Sequence, residues 1–75
     1  MYWKTKPELT TNVADTRKAA KLTQAELALA CSVTRQTIIA IEKGNYIPSV
    51  ALALIIAKSL HTTVEKLFML YGDKS

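Results

Sequence analysis

Apolar residues recur every three to four positions along most of the chain, and short polar or glycine-containing stretches interrupt them. This period is typical of amphipathic helices, whereas the period-two alternation of strands is rare in this sequence. The pattern predicts five short helices, over about 12–21, 24–31, 35–43, 50–60 and 63–71. The predicted fold class is therefore all-α, a compact five-helix domain, and a short β pairing of the two termini is compatible with it.

Residues that favour helix ends stand at the boundaries of these segments. Gly44 is expected to end the third helix in a left-handed conformation, which glycine adopts at little cost. The fourth helix is apolar nearly all round, which is typical of a buried central helix. The predicted caps are Thr11 or Asn12, Thr23 with Glu26 as a capping box, Thr34, Ser49, and Thr62 with Glu65 as a second box.

Helices two and three are separated by only Ser32 and Val33, so the chain must reverse abruptly between them. Such a turn requires a residue at positive φ, which we expect at Ser32. Ala28 is small enough for the next helix to cross closely. Apolar residues at 27, 31, 33, 38 and 41 fall where two crossed helices share a seam. Together these features predict a helix-turn-helix.

The third helix carries an unusual outward face. If Ile38 and Ile41 point into the core, the residues that point outward are Arg35, Gln36, Ile39, Ala40 and Lys43. The major groove of DNA offers acceptors and donors on base edges, and thymine methyl groups, to a helix lying in it. Arg35 matches guanine, Gln36 matches adenine, and the two apolar residues match thymine methyls. In the alternative reading, Ile39 covers a neighbouring helix or is an ordinary exposed apolar residue.

Composition restricts the class of protein. The chain has 75 residues, which indicates one domain. Its net charge of +4 suggests an anionic partner, although many basic domains bind nothing anionic. Its single cysteine fits a reducing compartment, and no apolar run approaches the ~20 residues of a membrane span, so we expect a soluble cytoplasmic protein. His61 has no nucleophile or ligand at suitable spacing. We expect no enzyme, no cofactor, no metal and no small-molecule ligand.

The stretch LTQAELALACSVTRQTIIAIEKGNYIPS resembles the helix-turn-helix of the phage Cro and lambda-repressor-like regulators. The similarity extends from about Asn12 to Phe68. It implies a compact helical bundle that binds duplex DNA as a dimer. Two residues depart from the family pattern: Ser32 replaces the usual turn glycine, and Thr16 stands where a larger apolar residue is normal.

The resemblance also implies roles for individual residues. Gln24 is expected to touch a phosphate and brace the third helix, while Thr34, Thr37, Lys43, Asn45 and Tyr46 hold flanking phosphates. The alternatives are that Thr34 is only a cap and Tyr46 only a loop anchor. Arg17 is interpreted as the structural partner of Glu42 rather than as a DNA contact.

The predicted division of the chain is an arm at 1–11, a DNA-binding domain at 12–69 with its motif at 24–43, and an extension at 70–75. More apolar residues stand near the C-terminus than a small bundle can bury. A dimer interface accounts for them, and we assign it to Leu67, Phe68, Leu70 and Tyr71. Tyr2 and Trp3 are candidate covers, unless the arm folds back on its own chain; the next candidate interface is the face with Ala51 and Ile55.

Two functions compete at this stage. The first is a sequence-specific regulator, expected to be a repressor, that binds a two-fold-symmetric duplex-DNA operator as a homodimer. The second is a protein-interaction module, such as an antitoxin-like subunit. The outward Arg35 and Gln36 favour the first function, and the surplus apolar surface permits the second.

Overall fold

The computed structural model describes residues 8–71, which form five helices and a two-stranded antiparallel sheet. In chain order the elements are β1 (Glu8–Thr11), α1 (Val13–Ala19), α2 (Gln24–Ala30), α3 (Arg35–Glu42), α4 (Val50–Ser59), α5 (Val64–Leu67) and β2 (Phe68–Tyr71). The five predicted helices are present, and the all-α class needs only the addition of this small sheet. Tyr2 and Trp3 of the predicted arm, and residues 72–75 of the predicted extension, lie outside the described residues.

The core forms around the crossing of α2 and α3. Its largest fully buried side chains are Leu27, Ile38, Ile41, Ile56, Leu67 and Val13. Ala28 is only 3% exposed, so its small side chain lets the two helices approach closely, as predicted. The burial of Leu67 contradicts its assignment to a dimer interface, because this residue anchors α5 to the core instead.

Hydroxyl caps begin three of the helices. Thr23 and Glu26 form the predicted capping box of α2, and Thr34 and Ser49 accept backbone N–H bonds at the starts of α3 and α4. The predicted box of Thr62 with Glu65 is wrong, because α5 begins after Thr63, whose side chain makes no capping bond. Helix α5 therefore begins one residue later than predicted.

The last helix also ends earlier than predicted. Helix α5 stops at Leu67 because the chain then enters β2, whose backbone pairs with β1. A 2.7 Å hydrogen bond from Asn12 N–H to the Leu67 carbonyl brings the two segments together. The apolar run FMLY therefore forms the strand β2 rather than the continuation of the fifth helix that the sequence predicted.

Helix α4 is less buried than its sequence predicted. Ala53, Ile56 and Ala57 face the core, but Val50 is 79% exposed and Leu54 is 49% exposed. The bundle covers only one side of α4 because residues 8–71 place no further element on the other side. None of the helices among these residues is long and apolar enough to cross a membrane.

The two faces of the sheet differ. In the antiparallel register Leu9 lies opposite Leu70, and Thr11 lies opposite Phe68. Because side chains alternate along a strand, these four residues share one face, where all but Leu70 are partly buried. The other face carries Glu8, Thr10, Met69 and Tyr71, which are all exposed.

Helices α1 to α4 end in the same way, with a left-handed residue just beyond the helix. These residues are Lys21, Ser32, Gly44 and His61, with φ of 61°, 57°, 78° and 55°. After α3, for example, the N–H groups of Gly44 and Asn45 bond back to the carbonyls of Ile41 and Ala40. Positive φ at Ser32 and Gly44 was predicted. Lys21, Ser32 and His61 carry side chains and are therefore strained in this conformation, which glycine adopts at little cost.

Replacing Lys21 by glycine should stabilise the protein. Glycine relieves the strain at positive φ, which outweighs its greater freedom in the unfolded chain, so we expect a gain of about 0.5–1 kcal/mol. The matched control is Ala20→Gly, because Ala20 has φ −81° and needs no glycine. That variant should lose about 0.5–1 kcal/mol. Urea unfolding of both variants measures the difference, and equal effects would contradict the strain at Lys21.

Candidate nucleic-acid interface

The outward face of α3 divides into an exposed and a half-covered part. Arg35 and Gln36, in the first turn, are exposed, as is Lys43 just after the helix. Ile39 and Ala40 are half-buried. Ile38 and Ile41, on the opposite side, are at most 1% exposed and hold this orientation. The helix therefore presents a guanidinium, an amide and an aliphatic surface side by side.

Further polar groups flank both ends of α3. At its start, the Thr34 hydroxyl accepts the Thr37 N–H at 3.2 Å, and the two hydroxyls are 3.0 Å apart. Thr34 is therefore a cap, and its side chain remains exposed. Beyond the C-terminus, Asn45 and Tyr46 are exposed in the loop that leads to α4. Thr34 and Thr37 thus stand at the start of α3, whereas Tyr46 lines a cavity together with Ile41 and Phe68.

A buried ion pair joins α1 to α3. Arg17 Nε donates to Glu42 Oε2 at 2.6 Å, and Arg17 Nη2 donates to Glu42 Oε1 at 3.2 Å. The two side chains are 9% and 7% exposed. The third guanidinium nitrogen donates to the Leu22 carbonyl at 2.8 Å, so Arg17 also holds the turn between α1 and α2. In the structure Arg17 therefore stabilises the packing of α1 against α3 and the turn before α2.

Gln24, the first residue of α2, connects this ion pair to the exposed face. Its Nε2 donates to Glu42 Oε1 at 3.0 Å, and its Oε1 accepts from Arg35 Nη2 at 3.4 Å. Sequence reasoning assigned Gln24 to a phosphate and to bracing α3 but missed its bond to Glu42. The two residues are 18 positions apart in the sequence, so local spacing gave no signal for this bond.

Other chemistry has little support in this part of the chain. Within residues 8–71, no group of three or more His, Cys, Asp or Glu side chains is placed to hold a metal ion. Cys31 is buried, with its sulfur 3.7 Å from the Ser59 hydroxyl. His61 is exposed at the end of α4.

Comparison with known proteins identifies the family. The HTH_3 family, described as helix-turn-helix, matches residues 13–67. The chain belongs to this family. The predicted resemblance is confirmed, and so is the prediction of a DNA-binding transcriptional regulator rather than an enzyme, at the level of the family.

Relatives of this helix-turn-helix protein are of similar length. An HTH-type transcriptional regulator from Methanothermobacter thermautotrophicus is 50% identical over 64 residues, which are 84% of this chain and 93% of the relative. The Bacillus subtilis HTH-type transcriptional regulator YgzD is 43% identical over 77% of this chain and 88% of its own. The restriction-modification controller protein C.AhdI of Aeromonas hydrophila shares the fold, with a TM-score of 0.68 and 24% identity over 72% of this chain and 82% of its own.

The helix-turn-helix places Glu42 where its charge is stabilised. Burial raises the pKa of Glu42, but hydrogen bonds from Arg17 and Gln24 and the charges of Arg17 and Lys18 outweigh burial and lower the pKa below its ordinary value. A carboxyl whose pKa is lower in the folded state stabilises the fold above its unfolded pKa, about 4.3. That stability is lost as pH falls through the folded pKa.

Arg17→Ala should destabilise the domain by about 3 kcal/mol at pH 7, because it leaves a buried carboxylate without its cation. The difference in stability between the parent and this variant should narrow as pH falls below the ordinary glutamate pKa of about 4.3, and it should close once Glu42 is protonated in both proteins. Urea unfolding across pH measures this. Lys66→Ala, which removes an exposed charge from α5, is the control and should change stability by less than about 0.5 kcal/mol. A variant as stable as the parent that binds DNA poorly would place Arg17 on the DNA surface.

Proposed function

We propose that the chain is a sequence-specific repressor that acts in the cytoplasm. In this proposal a homodimer binds a two-fold-symmetric operator in duplex DNA, with α3 of each copy in the major groove. The observation that carries the proposal is the outward face of α3, where exposed Arg35 and Gln36 stand beside half-covered Ile39 and Ala40. The HTH-type regulators that resemble this chain support the same class of function.

Each group on this face has a matching partner on base edges. The Arg35 guanidinium donates two parallel bonds to guanine O6 and N7, and the Gln36 amide pairs with adenine N6 and N7. Ile39 and Ala40 pack against thymine methyl groups, a contact that explains an aliphatic residue at a wet surface. The proposed readout therefore combines hydrogen bonding in the first turn of α3 with apolar contact in the second.

Phosphate contacts in this proposal set the register without reading sequence. Lys43 supplies charge at the end of α3, and the net charge of +4 supports attraction to DNA. Thr34, already a cap, can still accept and donate at the exposed surface. The full proposed phosphate set is Gln24, Thr34, Thr37, Lys43, Asn45 and Tyr46.

Arg35→Ala and Gln36→Ala should each lose about 1–3 kcal/mol of discrimination at one base pair per half-site, because each removes a bidentate base contact. Selection of binding sites from random duplexes, with the parent and both variants, measures the change. Lys43→Ala should instead weaken binding to all sequences alike and lower the salt slope by about one. An unchanged site preference in both Arg35 and Gln36 variants would rule out α3 as the reading helix.

Lys58→Ala is a matched control for Lys43→Ala, because Lys58 is exposed on α4 rather than beside α3. It removes the same charge and should leave the salt slope nearly unchanged. If the parent shows no salt-dependent affinity for any duplex, the regulator proposal fails and the interaction-module alternative takes its place.

An apolar groove supports the proposed dimer. It has a volume of about 430 Å³ and lies between the sheet, the α3–α4 loop, α4 and α5. Ile47 and Val50 on its rim are 71% and 79% exposed. Leu70 lies on the sheet face that forms one wall and is 57% exposed. The apolar side chains of the groove are Leu9, Ile47, Pro48, Val50, Ala53, Leu54, Val64 and Phe68.

A second copy of the chain is the proposed occupant of this groove. One recognition helix covers too few base pairs to select a single genomic site. Two copies related by a two-fold axis place their α3 helices about 34 Å apart, in successive major grooves. An isologous contact buries the exposed apolar rim of both copies at once. Phe68 and Leu70 stay in the proposed interface. Tyr71, which the sequence analysis also assigned to it, lies on the opposite face of the sheet and is left out of the proposed contact.

Leu70→Glu should weaken the dimer by roughly 100-fold, because an unpaired charge buried in an apolar contact costs about 2–5 kcal/mol. Operator binding should weaken with it, while helical content stays close to that of the parent. Sedimentation and circular dichroism measure both. Tyr71→Glu is the matched control, since it adds the same charge to the same strand on the other face. A Leu70→Glu protein that still dimerises moves the contact to the α4 face with Ala51 and Ile55.

A further inference from the structure

We infer that the outer edge of β1, the side that faces away from β2, is a docking site for an extended peptide segment of a partner protein. The segment adds to β1 as a third strand and places one large apolar side chain in the cavity beside it. This surface is separate from the proposed base contacts of Arg35 and Gln36. It gives the protein-interaction role that the sequence left open a defined location on the described part of the chain.

The register of the sheet determines which backbone groups of β1 are already used. The Asn12 N–H donates to the Leu67 carbonyl, and these two residues are the next pair in the register beyond β1 and β2. Hydrogen-bonded and non-hydrogen-bonded pairs alternate along an antiparallel ladder. Thr10 and Glu8, at alternate positions before Asn12, therefore direct their N–H and C=O groups toward β2.

The intervening residues, Leu9 and Thr11, direct their N–H and C=O groups away from β2. Within residues 8–71 these groups make no hydrogen bond with another backbone or side-chain group. An unpaired strand edge of this kind is a template for pairing with another strand. On β2 the Phe68 N–H is already bonded to the Val64 carbonyl. The edge of β1 therefore offers more unpaired groups than the edge of β2.

A cavity of about 470 Å³ opens beside β1. Three residues of β1 line it but only one of β2, and its remaining walls are Ile41, Gly44, Tyr46 and Ile47. A Cβ atom at Gly44 would meet no atom within 4 Å outside its chain neighbours, so the backbone there borders open space. The cavity accommodates one large apolar side chain, whose burial supplies the main apolar gain of a short docked strand.

The size of this surface favours a short peptide over a second copy of the chain. Strand β1 has 4 residues, so a strand paired with it extends over only about 13 Å. Stable dimers bury about 1,200–2,000 Å² in total, far more than a strand of this length covers. For a short segment, main-chain hydrogen bonds supply affinity and the side chain in the cavity supplies selectivity. We expect weak binding, with a Kd of roughly 100 µM.

The probe is the acetylated and amidated peptide KTVTFTK, which alternates polar and apolar residues and carries one phenylalanine. Heteronuclear NMR of the full chain should show the Leu9 and Thr11 amide signals moving downfield as peptide is added, because both N–H groups gain an acceptor. The signals of Leu54 and Val64, in the apolar groove, should not move. Replacing the phenylalanine of the peptide by alanine should weaken binding by about 10-fold, since less apolar surface is buried.

N-methylated peptides test the backbone pairing without changing any side chain. A strand presents alternate N–H groups to each side, so methyl groups on the odd-numbered and on the even-numbered residues block opposite edges of the peptide. One of these two peptides should bind about 10-fold more weakly or worse, and the other should bind like the unmethylated peptide. Equal affinities of the two methylated peptides would rule out strand addition.

Variants of the protein provide an independent arm. Leu9→Pro removes one outward N–H but no bond to β2, and proline is tolerated on an edge strand where the N–H faces outward. It should weaken peptide binding about 5- to 10-fold more than Leu9→Ala, the matched control that also shortens the side chain but keeps the N–H. Circular dichroism checks that both variants keep their helices. If Leu9→Pro does not fold, the methylated peptides decide on the parent protein.

Two results overturn the inference. Equal peptide affinities of folded Leu9→Pro and Leu9→Ala would show that the outward N–H takes no part. Peptide-induced shifts confined to Leu54 and Val64 would place the peptide in the groove instead of on β1. Neither result bears on the DNA contacts, which are measured with duplexes in the absence of peptide.

Discussion

The Arg17–Glu42 pair is the contact on which the arrangement of this domain depends. Through two side chains it ties α1, the turn before α2, the first residue of α2 and the last residue of α3. Burying two charges costs desolvation, so such a pair contributes less to net stability than its short distances imply. It does make other arrangements of these helices unfavourable, because each would leave a charge buried without a partner. Its effect is on the geometry of the helix-turn-helix.

Short helices make such contacts necessary. The helices span only 4 to 10 residues, lengths that are marginal in isolation. Their stability comes from packing around Leu27, Ile38 and Ile41 and from capping at both ends. Left-handed residues close four helices, but only one of them is glycine. This strain is tolerated because each such residue reverses the direction of the chain just beyond the end of its helix.

The starts of α2, α3 and α4, the turn at Ser32 and the outward face of α3 could be predicted, since each depends on local chemistry: a hydroxyl cap, a small residue, an apolar period. The ion pair came from the family resemblance. The end of α5 could not be predicted, because FMLY fits either a helix or a strand. Its pairing with β1 joins segments 59 residues apart, as in the bond from Thr10 to Met69. The Gln24–Glu42 bond also depends on side-chain rotamers that no spacing specifies.

The exposed face of α3 and the apolar groove are connected by one short segment. Helix α3 ends at Glu42, and within six residues the chain reaches Ile47 and Pro48, which line the groove. Gly44 turns the chain at this point and anchors it to the Ile41 carbonyl. If a second copy occupies the groove, the dimer contact determines the spacing of the two α3 helices. This contact then lies close to the C-terminal end of α3. Sequence reading and half-site spacing are then properties of one continuous stretch, because a shift in this loop would alter both.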